Sequence, residues 1–251
     1  MNITKWTVAH FSPTGGTKHI ADAIAAGFDT PIRELDLTGH ITPPALEEGE
    51  ALLAVLPVYA GRVPQIALER LSLLKSKGLP AVAVAVYGNR EFDDALLELK
   101  DALENRGFRV IAAAAFIAEH SIARGIAQGR PDGADLETAR HFAARVMAKP
   151  EDAPSVPVPG NRPYREAKPS AFHPAAGEGC HKCGLCAARC PLGAISPEDP
   201  GTAKADLCIN CMRCVQVCPN QSRALPAAFL EAVHQMLTKT ASEYKRPTLF
   251  L

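Results

Sequence analysis

Aromatic residues are scarce in this sequence. Tryptophan occurs once, and Phe, Trp and Tyr together make up 6% of 251 residues. With 47% of the chain hydrophobic, a core has to be filled mainly by Ala, Val, Leu and Ile. Neither sign of charge is in excess: Lys plus Arg and Asp plus Glu number 27 each. That balance gives no electrostatic reason to expect a nucleic-acid partner. No apolar run reaches the roughly 18 residues of a membrane span; the longest, 51–61 and 110–118, are strand-sized. The opening stretch to Ser12 holds no signal-peptide apolar core. The expectation is a cytoplasmic protein with no membrane span. Cysteine is missing everywhere except between Cys180 and Cys218, where all eight lie. A secreted disulfide scaffold spreads its cysteines through a short chain, so that class is excluded.

What is there in that segment is a repeat. Cys180, Cys183, Cys186 and Cys190 recur as Cys208, Cys211, Cys214 and Cys218, each shifted by 28 residues and each fourth cysteine followed by proline. Structural zinc takes two pairs of ligands, and two runs of three with a trailing Cys-Pro do not divide that way. The C-x2-C-x2-C-x3-C-P spacing is that of [4Fe–4S] ligation in bacterial ferredoxins, where the fourth cysteine of each run serves the other cluster. The expected sets are Cys180, Cys183, Cys186 and Cys218 for one cluster, and Cys208, Cys211, Cys214 and Cys190 for the other. The residues after the two motifs, Leu192–Ile195 and Gln221–Ala224, diverge.

The first 148 residues alternate strand and helix patterns. A short apolar run, Thr4–Phe11, leads into Ser12-Pro13-Thr14-Gly15-Gly16-Thr17 and then a helix marked by Ile20, Ile24 and Phe28. A hydroxyl- and glycine-rich loop at a helix N-terminus is an anion site. It matches neither G-x-x-x-x-G-K-[ST] nor G-x-G-x-x-G. Further strands are expected at 31–37, 51–59, 81–87 and 109–118, and helices at about 63–77, 91–106 and 134–148. The segment 38–50, with Pro43-Pro44, is too broken for a helix. Alternating strands and helices imply a parallel sheet covered on both faces, with ligands beyond the C-terminal strand ends.

The S-x-T-G-x-T loop and the five-strand pattern resemble flavodoxins. That resemblance implies a doubly wound five-stranded parallel sheet of order 2-1-3-4-5. It implies an FMN phosphate held by Ser12, Thr14, Gly15, Gly16 and Thr17. Tyr59, Ala60 and Gly61 would line one side of the flavin ring, and Tyr87, Gly88, Asn89 and Arg90 the other. The chain departs from free flavodoxins in lacking their acidic partner-facing loops and a regular second helix. The loop 118–133 is long enough to be functional; Glu119, His120, Arg124 and Arg130 could cover the flavin or dock a second domain, or serve only as a connector.

The stretch 149–174 holds seven prolines in 26 residues, an extended connector. The expected division is 1–148 for the FMN-binding unit, 149–173 for the linker, 174–226 for a small α+β two-cluster unit, and 227–251 for a helix and tail. The whole chain resembles fusions of a flavodoxin-like domain with a two-[4Fe–4S] ferredoxin domain. The resemblance implies electron transfer between FMN and two [4Fe–4S] clusters, with a redox protein or a small molecule at the outer end. Two alternatives stay open: an FMN-dependent reductase of a small molecule, quinone or flavin, and a ferredoxin carrier with a flavin-free docking domain. No nucleophile–base constellation is visible, and no catalytic residue is assigned. The sequence leaves open which cluster faces the flavin, the direction of electron flow and the oligomeric state.

Overall fold

Strand β1 (Lys5–His10) runs inside a sheet, one strand from its edge, and leads into helix α1 (Gly16–Ala25). Then follow β2 (Ile32–Asp36), β3 (Glu50–Pro57), α2 (Gln65–Leu71), β4 (Pro80–Tyr87), α3 (Ala95–Glu104), β5 (Arg109–Ile117) and α4 (Gly133–Met147). The structure, a computed structural model, describes residues 3–167 and 170–251. Met1 and Asn2 of the expected first unit, and Lys168 and Pro169 of the expected linker, lie outside the described residues.

The order β2-β1-β3-β4-β5, all parallel, is the doubly wound flavodoxin-like arrangement. The central strands are buried along their length because helices cover both faces. On one face Trp6, Val8, Leu53, Val55, Val82 and Val84 pack under α1 and α4. On the other, Leu52, Ala54, Leu56, Ala81 and Ala83 pack under α2 and α3. The single tryptophan, fully buried, stacks on Phe28 with ring centroids 4.0 Å apart. Helix α2 stops sooner than its periodicity suggests. The Ser72 hydroxyl donates to the Glu69 carbonyl, a local bond that competes with helix continuation. Leu74 is still buried beyond that end.

After α4 the chain forms a strap rather than a free linker. Val156 donates its N–H to the Val110 carbonyl and joins the core. Asp94 accepts from Asn161 N–H (2.8 Å) and Arg165 N–H (2.6 Å). Asp101 pairs with Arg162 and Tyr164. The proline-rich stretch therefore lies along α3, with Arg62 over the Tyr164 ring.

A small unit follows: β6 (Ala175–Ala176), α5 (Leu185–Ala188), α6 (Arg213–Gln216) and β7 (Arg223–Ala224), with β6 and β7 antiparallel. The sequence repeat reappears as a backbone repeat. Left-handed residues fall at Lys182 and Asn210, Gly184 and Met212, Gly193 and Gln221, each pair 28 apart. Met212, at φ 61°, occupies a conformation that costs a non-glycine residue free energy, where its counterpart is glycine.

Helix α7 (Ala227–Thr240) packs Leu237 and Ala241 on Ala123 and Ile126. The chain then returns to the first unit as β8 (Thr248–Phe250), antiparallel to β5. The five parallel strands thus gain a sixth at one edge. Leu249 packs on one face of the sheet and Phe250 on the other. Replacing both by Ala should lower stability by about 2 kcal/mol and uncover the β5 edge. Denaturant unfolding with light scattering should show a lower midpoint and increased self-association.

Candidate functional site

The eight cysteines gather around two cavities. One is lined by Cys180, Cys183, Cys186 and Cys218, with Pro200, Pro219 and Arg223. The other is lined by Cys190, Cys208, Cys211 and Cys214, with Pro191, Ile195 and Met212. Each cavity takes three cysteines from one motif and the fourth from the other, the grouping expected from the spacing. All eight are free thiols, and no disulfide competes for them. Among the described residues no group of three or more His, Cys, Asp or Glu is placed to hold a metal ion.

The two cradles differ in environment. Cys211 and Cys214 are buried, whereas Cys183 is exposed. Burial pushes the Cys211 thiol up to about 12 and raises those of Cys208 and Cys214. Metal ions would supply the charge that holds such thiols as thiolates and would release protons on binding. Cys218, beside the Ser222 hydroxyl, is lowered instead. The Ala194 N–H points at Cys190 Sγ at 3.3 Å.

The second motif faces the α/β unit. Arg213 donates to the Pro13 carbonyl at 2.7 Å, and Gln216 to the Thr14 carbonyl at 3.1 Å. From α2, Arg70 donates to the carbonyls of Leu37, Thr38 and Pro191 at 2.7–2.8 Å. The Tyr59 hydroxyl lies inward, and burial followed by the neighbouring Cys211 raises it well above its ordinary value.

The strand-end loops fall into two groups. In the first, Gly15 takes φ 93° and opens α1, with nothing within 4 Å of an added Cβ. The Ser12 hydroxyl accepts the Lys18 N–H at 2.8 Å, and Ser12 N–H donates to Thr38 Oγ1. Ser12 is thereby used as a brace for the loop. Among the described residues, the N–H groups of Gly15, Gly16 and Thr17 have no protein partner. Thr14, Gly15 and Gly16 border a cleft of about 770 Å³ between the two units. Its other walls are Lys18, Glu119, Arg124, Arg130, Met212 and Gln216, among others. That volume lies within the usual range of ligand sites, roughly 300–1,000 Å³.

The second group does not line this cleft. Ala60 (φ 52°) and Gly61 (φ 83°) form a tight turn closed by Tyr59 and Arg62. A Cβ on Gly61 would strike Asp93 and Arg165, so the strap covers that loop. Tyr87 is buried, edge-on to Phe92, and burial pushes it up to about 12. Gly88 is covered by the His120 ring. Asn89 (φ 65°) donates to the carbonyls of Ala241 and Glu243, both at 2.7 Å, leaving its own Oδ1 buried without a partner. Arg90 pairs with Asp93. The phosphate-loop residues thus fit an anion beside an ample cleft, while both expected ring-flanking loops are engaged by the chain's own residues.

Three kinds of residue escaped the sequence reading. Arg70 looks like any helix-surface arginine, and only its burial reveals its role. The strap residues Arg162–Arg165 carry no motif. Arg223 left one trace, the divergence after the second motif.

Residues 204–222 match the family model described as the 4Fe-4S binding domain. The match includes Cys208, Cys211, Cys214 and Cys218. A 4Fe-4S binding domain in this segment supports a redox role. No curated protein matches the chain. Among solved structures, it is similar to a flavodoxin from the domain Archaea, with 17% identity and TM-score 0.45 over 57% of this chain and 95% of that one. A flavodoxin of Streptococcus pneumonia TIGR4 gives 16%, 0.43, 57% and 98%. An NADH:FMN oxidoreductase in its apo form gives 17%, 0.43, 60% and 94%. The strand order, rather than these overlaps, carries the fold assignment. Among the described residues, no helix is long and apolar enough to cross a membrane.

His120 is held neutral. Its Nδ1 accepts the N–H groups of Ile122 and Ala123, so its proton sits on Nε2. Burial, and then the Arg90 charge, lowers it from 6.5 to about 4. The unfolded chain therefore binds the extra proton first as pH falls. Stability contributed by neutral His120 is present above pH 6.5 and is lost between 6.5 and about 4, by at most about 1.4 kcal/mol per pH unit. Stability curves of the parent and His120→Asn should converge over that window; parallel curves would show that His120 is not held neutral.

Proposed function

We propose that the chain is a flavo-iron–sulfur electron carrier, with FMN in its α/β unit and two [4Fe–4S] clusters in its small unit. The observation that supports this best is the crossed grouping of cysteines into two four-sulfur cradles. When bound, FMN exchanges one or two electrons and each cluster one. The rest of the reading concerns what the protein's residues do.

The backbone N–H groups of Gly15, Gly16 and Thr17, at the positive end of α1, hold the phosphate. The interdomain cleft takes the remainder of the flavin. Cys190, Cys208, Cys211 and Cys214 form the inner cradle, against Tyr59 and the β1–α1 loop. Cys180, Cys183, Cys186 and Cys218 form the outer one. Exposed Cys183 makes that cradle the side at which a redox partner or small acceptor is met. Arg70, Arg213 and Gln216 fix the spacing between the units by bonding to backbone carbonyls.

Anaerobically prepared protein should contain about eight irons, about eight sulfides and about one FMN per chain. Cys218→Ala should remove the outer cluster alone, cutting iron to about half, and Cys190→Ala the inner one alone. Loss of both clusters from either variant, or an iron content of about four in the parent, would count against two separate cradles. A second reading, a two-cluster carrier with a flavin-free docking domain, is favoured by the covering of Gly61, Gly88 and Asn89. Flavin released on heating separates the two: about one FMN per chain supports the first reading, none the second.

A further inference from the structure

The 28-residue shift that carries Cys190 onto Cys218 also carries Ile195 onto Arg223. Both side chains are buried, at 3% and 2% exposure. Ile195 packs in the small apolar core with Ala187 and Cys214. At the equivalent place in the other half, a full positive charge has been put inside the protein.

The guanidinium of Arg223 is tied down on two sides. It donates to the Pro200 carbonyl at 2.5 Å and to the Pro174 carbonyl at 2.9 Å. Its Nε is buried without a partner. No carboxylate pairs with it among the described residues. A buried charge without a counter-charge is costly, and two backbone carbonyls only partly offset that cost. Arg223 borders the cleft beside Thr14, Gly15 and Gly16. Its Nη1 lies 3.9 Å from Cys186 Sγ, in the outer cradle. It also lines that cavity.

Four thiolates around a cluster make an anion, and reduction adds one more negative charge. A fixed cation beside such a group stabilises its reduced state. We infer that Arg223 is the buried counter-charge of the outer cluster, raising its reduction potential. The inference rests on the two-cluster reading above and names the residue that sets how readily the outer cluster accepts electrons.

The test uses the full chain and three variants. Arg223→Met copies the shape without charge or donors. Arg223→Gln keeps donors without charge, and Arg223→Lys keeps the charge. For each, iron and sulfide are counted and the midpoint potentials of both clusters are measured by EPR-monitored redox titration. The parent and Arg223→Lys should hold about eight irons with similar midpoints. The neutral variants should show the outer midpoint, the one that Cys218→Ala removes, lowered by at least tenfold in the reduced-to-oxidised ratio, about 59 mV for one electron. Neutral variants with full iron and parental midpoints would overturn the inference. So would a lysine variant that shifts as far as the neutral ones. If the neutral variants fail to take up iron while Arg223→Lys succeeds, a charge at this position is required and the inference stands. If lysine fails as well, the bonds to Pro174 and Pro200 are the whole of its role. A parent with about four irons would instead overturn the two-cluster reading itself.

Discussion

Each cysteine cradle takes its fourth sulfur from the opposite motif, and much of the small unit follows from that crossing. Cys190 must reach across to Cys208–Cys214, and Cys218 back to Cys180–Cys186. Neither half can complete a cradle alone, so the two motifs are bound to fold as one body. Tight winding is needed around each group of sulfurs. The paired left-handed residues at 182 and 210, 184 and 212, and 193 and 221 supply it. The short helices α5 and α6 then carry the chain from the third cysteine of each motif towards the fourth.

The join between the two units relies on arginines and a glutamine bonded to main-chain oxygens, with few charge pairs. Arg70 spans from the end of β2 to Pro191, next to Cys190. Arg213 and Gln216 reach the β1–α1 loop from within the second motif. Carbonyl oxygens are fixed by the backbone, so such bonds set position more rigidly than exposed ion pairs between flexible side chains. The strap along α3 and the contact of α7 with Ala123 and Ile126 add to the same hold. The loop after β5, read in sequence as a flavin cover, a docking segment or a connector, is the bed for α7 and one wall of the cleft.

Periodicity revealed the α/β layers because buried parallel strands are continuous apolar runs and their helices carry one apolar face. Spacing revealed the cysteine groups because ligation geometry fixes the intervals. What stayed hidden depends on contacts between segments far apart in the chain. The closing of Gly61 by Arg165, of Gly88 by His120 and of Asn89 by the segment after α7 cannot be seen in local pattern. Residues such as Tyr87 read well as ring-flanking candidates because they end a buried strand. In the folded chain the tyrosine ring turns into the protein beside Phe92. Leu249 and Phe250 looked like an apolar tail, and nothing local says that they become an edge strand.

That edge strand has a consequence for how the molecule is made. β5 is synthesised well before β8, and the whole cysteine segment lies between them. On the ribosome, the outer edge of the first sheet stays open until the cysteine motifs have emerged and α7 has turned back. The order of synthesis therefore leaves a period in which the cysteines are accessible and the sheet is unsealed. Closure of β8 onto β5 follows the synthesis of the cysteine segment and of α7.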